Sequence, residues 1–251
     1  MTFNPWGWGF NNGFGTAGNF STRVRDLFGT SLIGYWPMNE GAGAVSYDLS
    51  PQKNNGAYTG VTLANGALPA AVGGYAPLFD GVNDYNNVLS AGLVADFSGA
   101  AGTMNILAKV SGVGVWTDST IRYAGRIYVD GSNYIGIYRN STNNRASALY
   151  IAGGTVLSRN IDGLSTTEYF MFGLTWDKAA DAVKLYWNGS QSGSTITGLG
   201  TWAGTPATSL IGAATTVPAN VWDGWLAHGM LLNKAATPAE MLQVAKWAGV
   251  A

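Results

Sequence analysis

The chain has 251 residues and no cysteine, which excludes disulfides, thiolate nucleophiles and cysteine-based zinc sites. Hydrophobic residues make up 47% of it and charged residues only 11%, so it can bury a large core and does not belong to the disordered class. The 13 Lys and Arg residues form no run at a net charge of −1, and glycine interrupts every apolar stretch, so we expect neither a nucleic-acid partner nor membrane insertion.

The first 22 residues differ from the rest because they carry no charged side chain and hold aromatic residues separated mainly by Gly and Asn. No helical or strand period fits them, so we predict an extended N-terminal arm over 1–22, followed by one domain over 23–251. The arm either covers apolar surface of its own domain or docks on a neighbouring subunit, since aromatic side chains suit an interface core. The aromatic residues of this predicted partner-binding arm are Phe3, Trp6, Trp8, Phe10, Phe14 and Phe20.

The first residues also lack a charged region followed by an apolar run, which a secretory signal would have. We therefore expect synthesis and assembly in a host cytoplasm.

From Arg23 onward, short alternating segments are separated by Asn-Gly and Asp-Gly pairs, which accept the positive φ of tight hairpin turns. The segment 121–129 is typical, and Asp130-Gly131 follows it. Its alternation predicts one face with Ile121, Tyr123, Ile127 and Val129, and another with Arg122, Arg126 and Tyr128. Many short strands without a βα rhythm predict an all-β fold, an antiparallel β-sandwich of the jelly-roll type.

Two helices are predicted at the ends of this domain. Thr237-Pro238-Ala239-Glu240 has the pattern of a capping box with proline at the first helical position, and Gly249 supplies a stop. This predicts one short C-terminal helix. A second short helix over Thr22–Phe28 is a further prediction.

Several segments, taken in order, resemble one known family. They are Ile33–Gly43, Asp48–Ser50, Asn54–Tyr58, Leu78–Tyr85, Phe172–Asp177, Lys184–Gly189 and Trp222–Glu240. Their order and spacing resemble the laminin-G-like, or concanavalin A-like lectin/glucanase, jelly-roll family over residues 31–248. The resemblance implies a two-sheet sandwich, in a family whose members bind sugars, proteins or no known ligand. Tyr58–Leu63 is similar to versions found in phage structural proteins.

The family resemblance also implies a calcium site at a sandwich edge, because hard cations take clustered oxygen ligands. The candidate ligands are Asp48, Asp80, Asn83 and Asp84. The alternative is structural: Asp80 makes a turn with Gly81, and Asp84 accepts hydrogen bonds from backbone amides. The chain departs from the family pattern at Met171, Phe172 and Ala227-His228, which weakens any borrowed metal site.

Catalytic groups are scarce. A retaining glycosidase needs two carboxylates about 5 Å apart, yet the three glutamates, Glu40, Glu168 and Glu240, are far apart in sequence. The single histidine, His228, lies in an apolar run and reads as a core residue rather than a catalytic base. We therefore expect a protein that is not an enzyme.

Carbohydrate binding would need aromatic platforms beside polar groups. Trp116, Trp202 and Trp222 lie in Gly-, Thr- and Asp-rich stretches and are the candidates, with a place in the core as the alternative.

These observations favour a non-enzymatic virion structural or decoration protein, in a capsid, head fibre or tail. We expect its arm to bind other virion proteins, its sandwich to contact host-surface polysaccharide, and a homo-oligomer to be compatible with that role. The alternative is a carbohydrate-binding module on a bacterial cell surface.

Overall fold

Sixteen strands form two antiparallel sheets in the computed structural model, which describes residues 19–251. The strands are β1 (Leu32–Trp36), β2 (Val45–Ser46), β3 (Gly56–Thr59), β4 (Thr62–Ala67), β5 (Tyr75–Asp80), β6 (Tyr85–Asn87), β7 (Ala101–Val110), β8 (Arg122–Asp130), β9 (Asn133–Arg139), β10 (Ala146–Ala152), β11 (Thr155–Ile161), β12 (Phe170–Asp177), β13 (Ala182–Trp187), β14 (Ser190–Ile196), β15 (Thr208–Ile211) and β16 (Asp223–Leu232). The helices are α1 (Phe20–Phe28), α2 (Ala91–Asp96) and α3 (Pro238–Ala248), with 3-10 turns at Gly29–Ser31 and Val113–Trp116.

The two sheets have eight strands each. One sheet, here called the back sheet, runs β14-β13-β12-β7-β16-β5-β4, with β1 also pairing β16. The other, the front sheet, runs β11-β10-β9-β8-β15-β6-β3-β2. The predicted antiparallel β-sandwich is confirmed.

A core of aliphatic and aromatic side chains fills the space between the sheets. Successive side chains of a strand point to opposite faces of its sheet, so every second residue can face this inner side, as sandwich packing requires. Its largest fully buried members include Phe79, Trp116, Tyr150, Trp176 and Trp222.

A second core lies outside the back sheet, where helices α1 and α3 pack against it. Helix α1 contributes Phe20, Val24 and Phe28, at the i, i+4, i+8 spacing of one helix face. Burying each such side chain contributes roughly 1.5–3 kcal/mol. The back sheet is thus covered on both faces, whereas the outer face of the front sheet carries exposed residues on β11.

Helix α1 corrects the boundary of the predicted arm. Asn19 caps it by accepting a hydrogen bond from the amide of Thr22 at 3.0 Å, and the helix begins at Phe20. The predicted helix at Thr22–Phe28 is confirmed and starts two residues earlier. Phe20 is 3% exposed in the second core, so its assignment to an extended arm is wrong. The other predicted arm residues, Phe3, Trp6, Trp8, Phe10 and Phe14, lie outside the described residues.

The C-terminal helix confirms its prediction. The Thr237 hydroxyl accepts from the Glu240 amide at 3.2 Å, and the Glu240 carboxylate accepts from the Thr237 amide at 2.7 Å. Gly249 follows in the left-handed conformation, which favours glycine. Helix α2 was not predicted, because its six residues are too few to show a helical period.

Within residues 19–251, no helix has the length and apolar character needed to cross a bilayer.

Candidate functional site

Four tyrosines and one arginine gather on the outer face of the front sheet, on the hairpin β8–β9. This group, called the tyrosine patch below, consists of Tyr123, Arg126, Tyr128, Tyr134 and Tyr138. Pairing between the two strands sets Tyr123 opposite Tyr138 and Tyr128 opposite Tyr134. The ring centres of these pairs lie 5.0 Å and 5.9 Å apart. Aromatic cross-strand pairs stabilise a sheet, so the same contacts that hold the hairpin also shape the patch.

A β-bulge brings Tyr123 into the patch. The register of β8 against β9 shifts between Tyr123 and Gly125, which leaves Ala124 as the extra residue. Ala124 enters the inner core, and Tyr123 lies on the same face as Arg126. The predicted face that grouped Tyr123 with Ile127 is therefore wrong, because strict alternation does not continue through a bulge.

Arg126 occupies the middle of the patch. Its Cζ lies 4.3 Å, 5.1 Å and 5.4 Å from the ring centres of Tyr128, Tyr134 and Tyr123. Its Nη1 donates a hydrogen bond to the carbonyl of Ala214 at 2.7 Å. A backbone acceptor and three aromatic rings thus hold the guanidinium, because the face of an aromatic ring attracts a positive charge.

A polar row borders the patch on strands β10 and β11. Ser147 lies opposite Tyr138, and Asn160 lies opposite Ser147. The Asn140 amide donates to the Ser147 hydroxyl at 2.9 Å, and that hydroxyl donates to Asn160 at 2.7 Å. Asn160 is exposed and so offers an amide group to a ligand on this face.

Burial keeps two hydroxyls of the patch, those of Tyr123 and Tyr138, protonated at neutral pH. Burial raises the pKa of Tyr123 to about 12, although the Arg126 charge lowers it in part. Burial also raises the pKa of Tyr138, opposed by a hydrogen bond with Ser147. Each hydroxyl can therefore both donate and accept a hydrogen bond.

The patch can do two things chemically. Half-buried rings of Tyr128, Tyr134 and Tyr138 can pack against an apolar ligand surface, while hydroxyl, amide and guanidinium groups bind polar substituents. A shallow face of this kind suits an extended ligand rather than an enclosed small molecule.

A separate cavity of about 400 Å³ lies on the back-sheet side. It is lined by Leu68, Pro69, Lys109, Tyr169 and Val250, among others. The Lys109 ammonium lies 5.4 Å from the ring centres of both Tyr169 and Trp225. This cavity is an alternative ligand site, and experiments must distinguish it from the tyrosine patch.

The three tryptophans predicted from the sequence to be sugar platforms differ in their exposure to solvent. Trp116 and Trp222 are 0% and 1% exposed, with their indole nitrogens donating to the carbonyls of Thr166 and Lys109. They are core residues and offer no stacking face, so that prediction is wrong for both. Trp202 is half-buried and packs edge-on to Phe97 at 5.4 Å.

The four candidate calcium ligands do not come together. Asp48 is buried, and its carboxylate accepts hydrogen bonds from the amides of Tyr35, Ser50 and Asn54 and from the Ser50 hydroxyl. Within residues 19–251, no three His, Cys, Asp or Glu side chains form a group suited to a metal. Asp48 is therefore a structural residue that ties β1 to the following loop.

The remaining metal candidates lie in the turn after β5. The Asp80 carboxylate accepts from the amides of Val82 and Asn83, and one oxygen of Asp84 accepts from the amide of Asp80. The other oxygen of Asp84 is buried without a partner, and burial raises the pKa of this carboxyl group. Calcium takes about six to eight oxygens, more than these side chains supply. Calcium binding stays a prediction, restricted to Asp80, Asn83 and Asp84.

The carboxylates needed for glycoside hydrolysis are also apart. Glu40 accepts from the amide of Tyr47 and the hydroxyl of Tyr58. Glu240 belongs to the cap of α3 and pairs with Lys234 at 2.6 Å. Glu168 lines the back cavity.

His228 is buried in the second core, as expected from its apolar surroundings. Its Nδ1 lies 2.8 Å from the Tyr35 hydroxyl, which also lies 3.0 Å from the Ser21 hydroxyl. Burial lowers its pKa to about 3, so it is neutral at ordinary pH. The chain Ser21, Tyr35, His228 joins helix α1 to strands β1 and β16.

Sequence reasoning missed the tyrosine patch, although a signal was present. Tyr128 and Tyr134 each lie three residues from Gly131, on either side of the Asp130-Gly131 turn, although they pair only because the register shifts between Tyr128 and Asp130. No sequence pattern indicates the bulge at Ala124 or the hydrogen bond from Arg126 to the Ala214 carbonyl.

Comparison with solved structures places the fold among known binding domains. The receptor-binding domain of a botulinum neurotoxin C/D mosaic serotype matches 86% of this chain with a TM-score of 0.67 and 13% identity. A structure of botulinum neurotoxin type C, whose cell entry depends upon interaction with two ganglioside molecules, matches 90% with a TM-score of 0.65 and 13% identity. The binding domain of botulinum neurotoxin DC, in complex with rat synaptotagmin II, matches 87% with a TM-score of 0.63 and 11% identity.

The chain spans about half the length of these domains, which it covers to 51%, 52% and 52%. At such identities the likeness concerns the fold alone. No protein-family model matches the chain, and no curated protein matches it.

Proposed function

We propose that this domain is a non-enzymatic carbohydrate-binding sandwich that holds glycans on the tyrosine patch. The observation that carries the proposal is the placement of Tyr123, Tyr128 and Tyr134 around Arg126, with Tyr138 paired to Tyr123, on the outer face of the front sheet. The two helices that pack on a sheet both lie on the other side of the sandwich.

The chemistry of sugars fits this surface. One face of a pyranose ring presents C–H groups that pack on an aromatic ring, while its hydroxyls need donors and acceptors around the edge. The tyrosine rings supply the aromatic surface. Asn160 and the tyrosine hydroxyls supply the hydrogen-bond donors and acceptors. A polar rim beside rigid aromatic residues gives binding at small entropy cost.

The structural comparisons support a binding role. The matched domains belong to receptor-binding proteins, one of which interacts with ganglioside molecules, and another binds synaptotagmin II. A shared fold carries neither ligand to this chain, so the tyrosine patch itself must be tested.

The test is glycan-array binding followed by calorimetry on the best ligand. We expect Tyr134→Ala and Tyr138→Ala to weaken binding by about tenfold or more, because each truncation removes an aromatic contact worth about 1–2 kcal/mol. Tyr75→Ala is the matched control, since Tyr75 is 55% exposed and lies on the back sheet. Loss of binding in Tyr169→Ala, with the patch variants unaffected, would move the site to the back cavity.

A finer proposal places the domain in a virion. The similarity of Tyr58–Leu63 to phage structural proteins supports it, as do the aromatic residues at positions 3, 6, 8, 10 and 14. In this proposal the N-terminal segment attaches the subunit, alone or as a homo-oligomer, to other virion proteins. The front sheet then meets host-surface polysaccharide.

The virion proposal has its own test. Mass spectrometry of purified particles should detect the protein, and a variant lacking residues 1–18 should show reduced occupancy. Full occupancy of the truncated variant would contradict attachment through this segment. Detection on a bacterial cell surface, and not in particles, would favour the alternative of a surface carbohydrate-binding module.

A further inference from the structure

We infer that the tyrosine patch selects carboxylated glycans, with Arg126 pairing the sugar carboxylate. This inference rests on the proposed function and names the ligand class of that same site. It is carried by the charge balance around Arg126 and by the one guanidinium nitrogen that has no partner within the described part of the chain.

Arg126 differs from three other arginines of the front sheet and its loops, each of which pairs with a carboxylate. Arg159 on β11 also lacks a carboxylate partner, but its Nη2 donates to the carbonyl and hydroxyl of Ser194. Arg122 pairs with Asp118 at 2.7 Å, Arg139 with the same Asp118 at 3.4 Å, and Arg145 with Asp162 at 2.5 Å. Among residues 19–251, no carboxylate lies within 4.0 Å of Arg126. Its neighbours are tyrosine rings, a carbonyl and Gly136, so its positive charge is uncompensated.

One nitrogen of this guanidinium remains for a ligand. Nη1 donates to Ala214, and Nε is buried without a partner. Nη2 has no hydrogen bond within the described part of the chain and is not among its buried unpartnered atoms. It is therefore not fully buried.

The position of Arg126 makes that nitrogen selective. The Ala214 carbonyl and the ring of Tyr128 fix the side chain, so Arg126 loses little conformational entropy when a ligand binds. A neutral sugar that covers the patch removes water from the charge and leaves it unpaired, which costs free energy. A carboxylate forms a charge-assisted hydrogen bond instead.

A structural role is the competing explanation. In that case Arg126 only holds the tyrosine rings together through cation–π contacts, and its charge does not choose the ligand. The two explanations differ in what a ligand carboxyl group contributes, and this difference can be measured directly.

The experiment starts from a glycan array that contains neutral, carboxylated and sulfated members. The tightest carboxylated ligand is then compared with its carboxyl-reduced form by calorimetry. We expect reduction to weaken binding about tenfold to a hundredfold, the range for a hydrogen bond to a charged group. Arg126→Met should lose this discrimination, and Arg126→Lys should retain part of it and keep a salt dependence.

The outcomes separate the inference from the proposed function. Equal binding of the reduced ligand, a tightest ligand that is neutral or sulfated, or unchanged discrimination in Arg126→Met would each overturn the inference while leaving glycan binding intact. An array with no binding, or patch tyrosine variants that bind like the native protein, would overturn the proposed function and the inference with it.

Discussion

The ring of Tyr123 lies against the backbone of Gly136, so closely that a β-carbon on Gly136 would come within 2.6 Å of the ring. The shape of the patch therefore depends on a missing side chain on β9 as much as on the tyrosines. Gly136 also lies opposite Arg126 in the hairpin, and the atoms that such a β-carbon would meet most closely are those of Tyr123.

Replacing this glycine gives the first prediction. Gly136→Ala should displace the Tyr123 ring and weaken glycan binding about tenfold, with a loss of stability of about 1 kcal/mol. Gly131→Ala in the same hairpin is the control, since a β-carbon there meets no atom within 4 Å. Calorimetry and urea unfolding report the two quantities, and equal binding by both variants would argue against the patch as the site.

The second prediction concerns the tryptophans. Trp116→Ala should destabilise the domain by about 3–5 kcal/mol, because it empties part of the core and removes the hydrogen bond to Thr166. Glycan affinity should stay close to native in whatever fraction remains folded. Denaturant unfolding with binding assays at low temperature checks both. A selective loss of binding at native stability would restore Trp116 as a platform.

The third prediction is a dependence on pH. Because the pKa of His228 is lowered to about 3, the folded protein binds fewer protons than the unfolded chain between about pH 3 and 6.5. Its contribution to stability is complete above pH 6.5 and is lost as the pH falls through this window. The slope is about 1.4 kcal/mol per pH unit.

His228→Asn isolates that contribution. Asparagine tolerates the positive φ of 51° at this position and can still accept from the Tyr35 hydroxyl. The difference in unfolding free energy between the two proteins should shrink as the pH is lowered from 7 to 4.5. A difference independent of pH would show that His228 is not the titrating group.

The fourth prediction tests the turn after β5. The raised pKa of Asp84 means that the folded protein holds its proton more tightly, so stability falls as pH rises through the carboxyl range. Asp84→Asn should therefore be more stable than the native protein at pH 7 in a chelator. If Asp80, Asn83 and Asp84 bind calcium, millimolar calcium should raise the melting temperature of the native protein alone. No calcium shift in the native protein would contradict metal binding.

The sandwich was predictable because its signals are local. Paired turn residues such as Asn188-Gly189 and the alternation of Val183, Leu185 and Trp187 depend only on neighbours in sequence. The capping box at Thr237 was predictable for the same reason. Asn19 is also a typical helix-capping residue, but the segment around it is uncharged and rich in aromatic residues. That composition favoured the prediction of an extended arm.

The site was harder to predict because it depends on contacts between distant segments. The Ala214 carbonyl that fixes Arg126 comes from 88 residues away. Trp222 is buried beside Phe170 of β12, with ring centres 6.4 Å apart, and this neighbour is distant in sequence. A tryptophan in a polar stretch has the same local pattern whether it faces solvent or the core, so position along the chain could not decide between them.

The placement of both α1 and α3 on the back sheet has a practical consequence. Outward residues of the front sheet, such as Tyr134, Tyr138 and Asn160, can be randomised without opening the helical core. The domain is thus a cysteine-free scaffold for selecting new affinity reagents, displayed with its helical side toward the carrier.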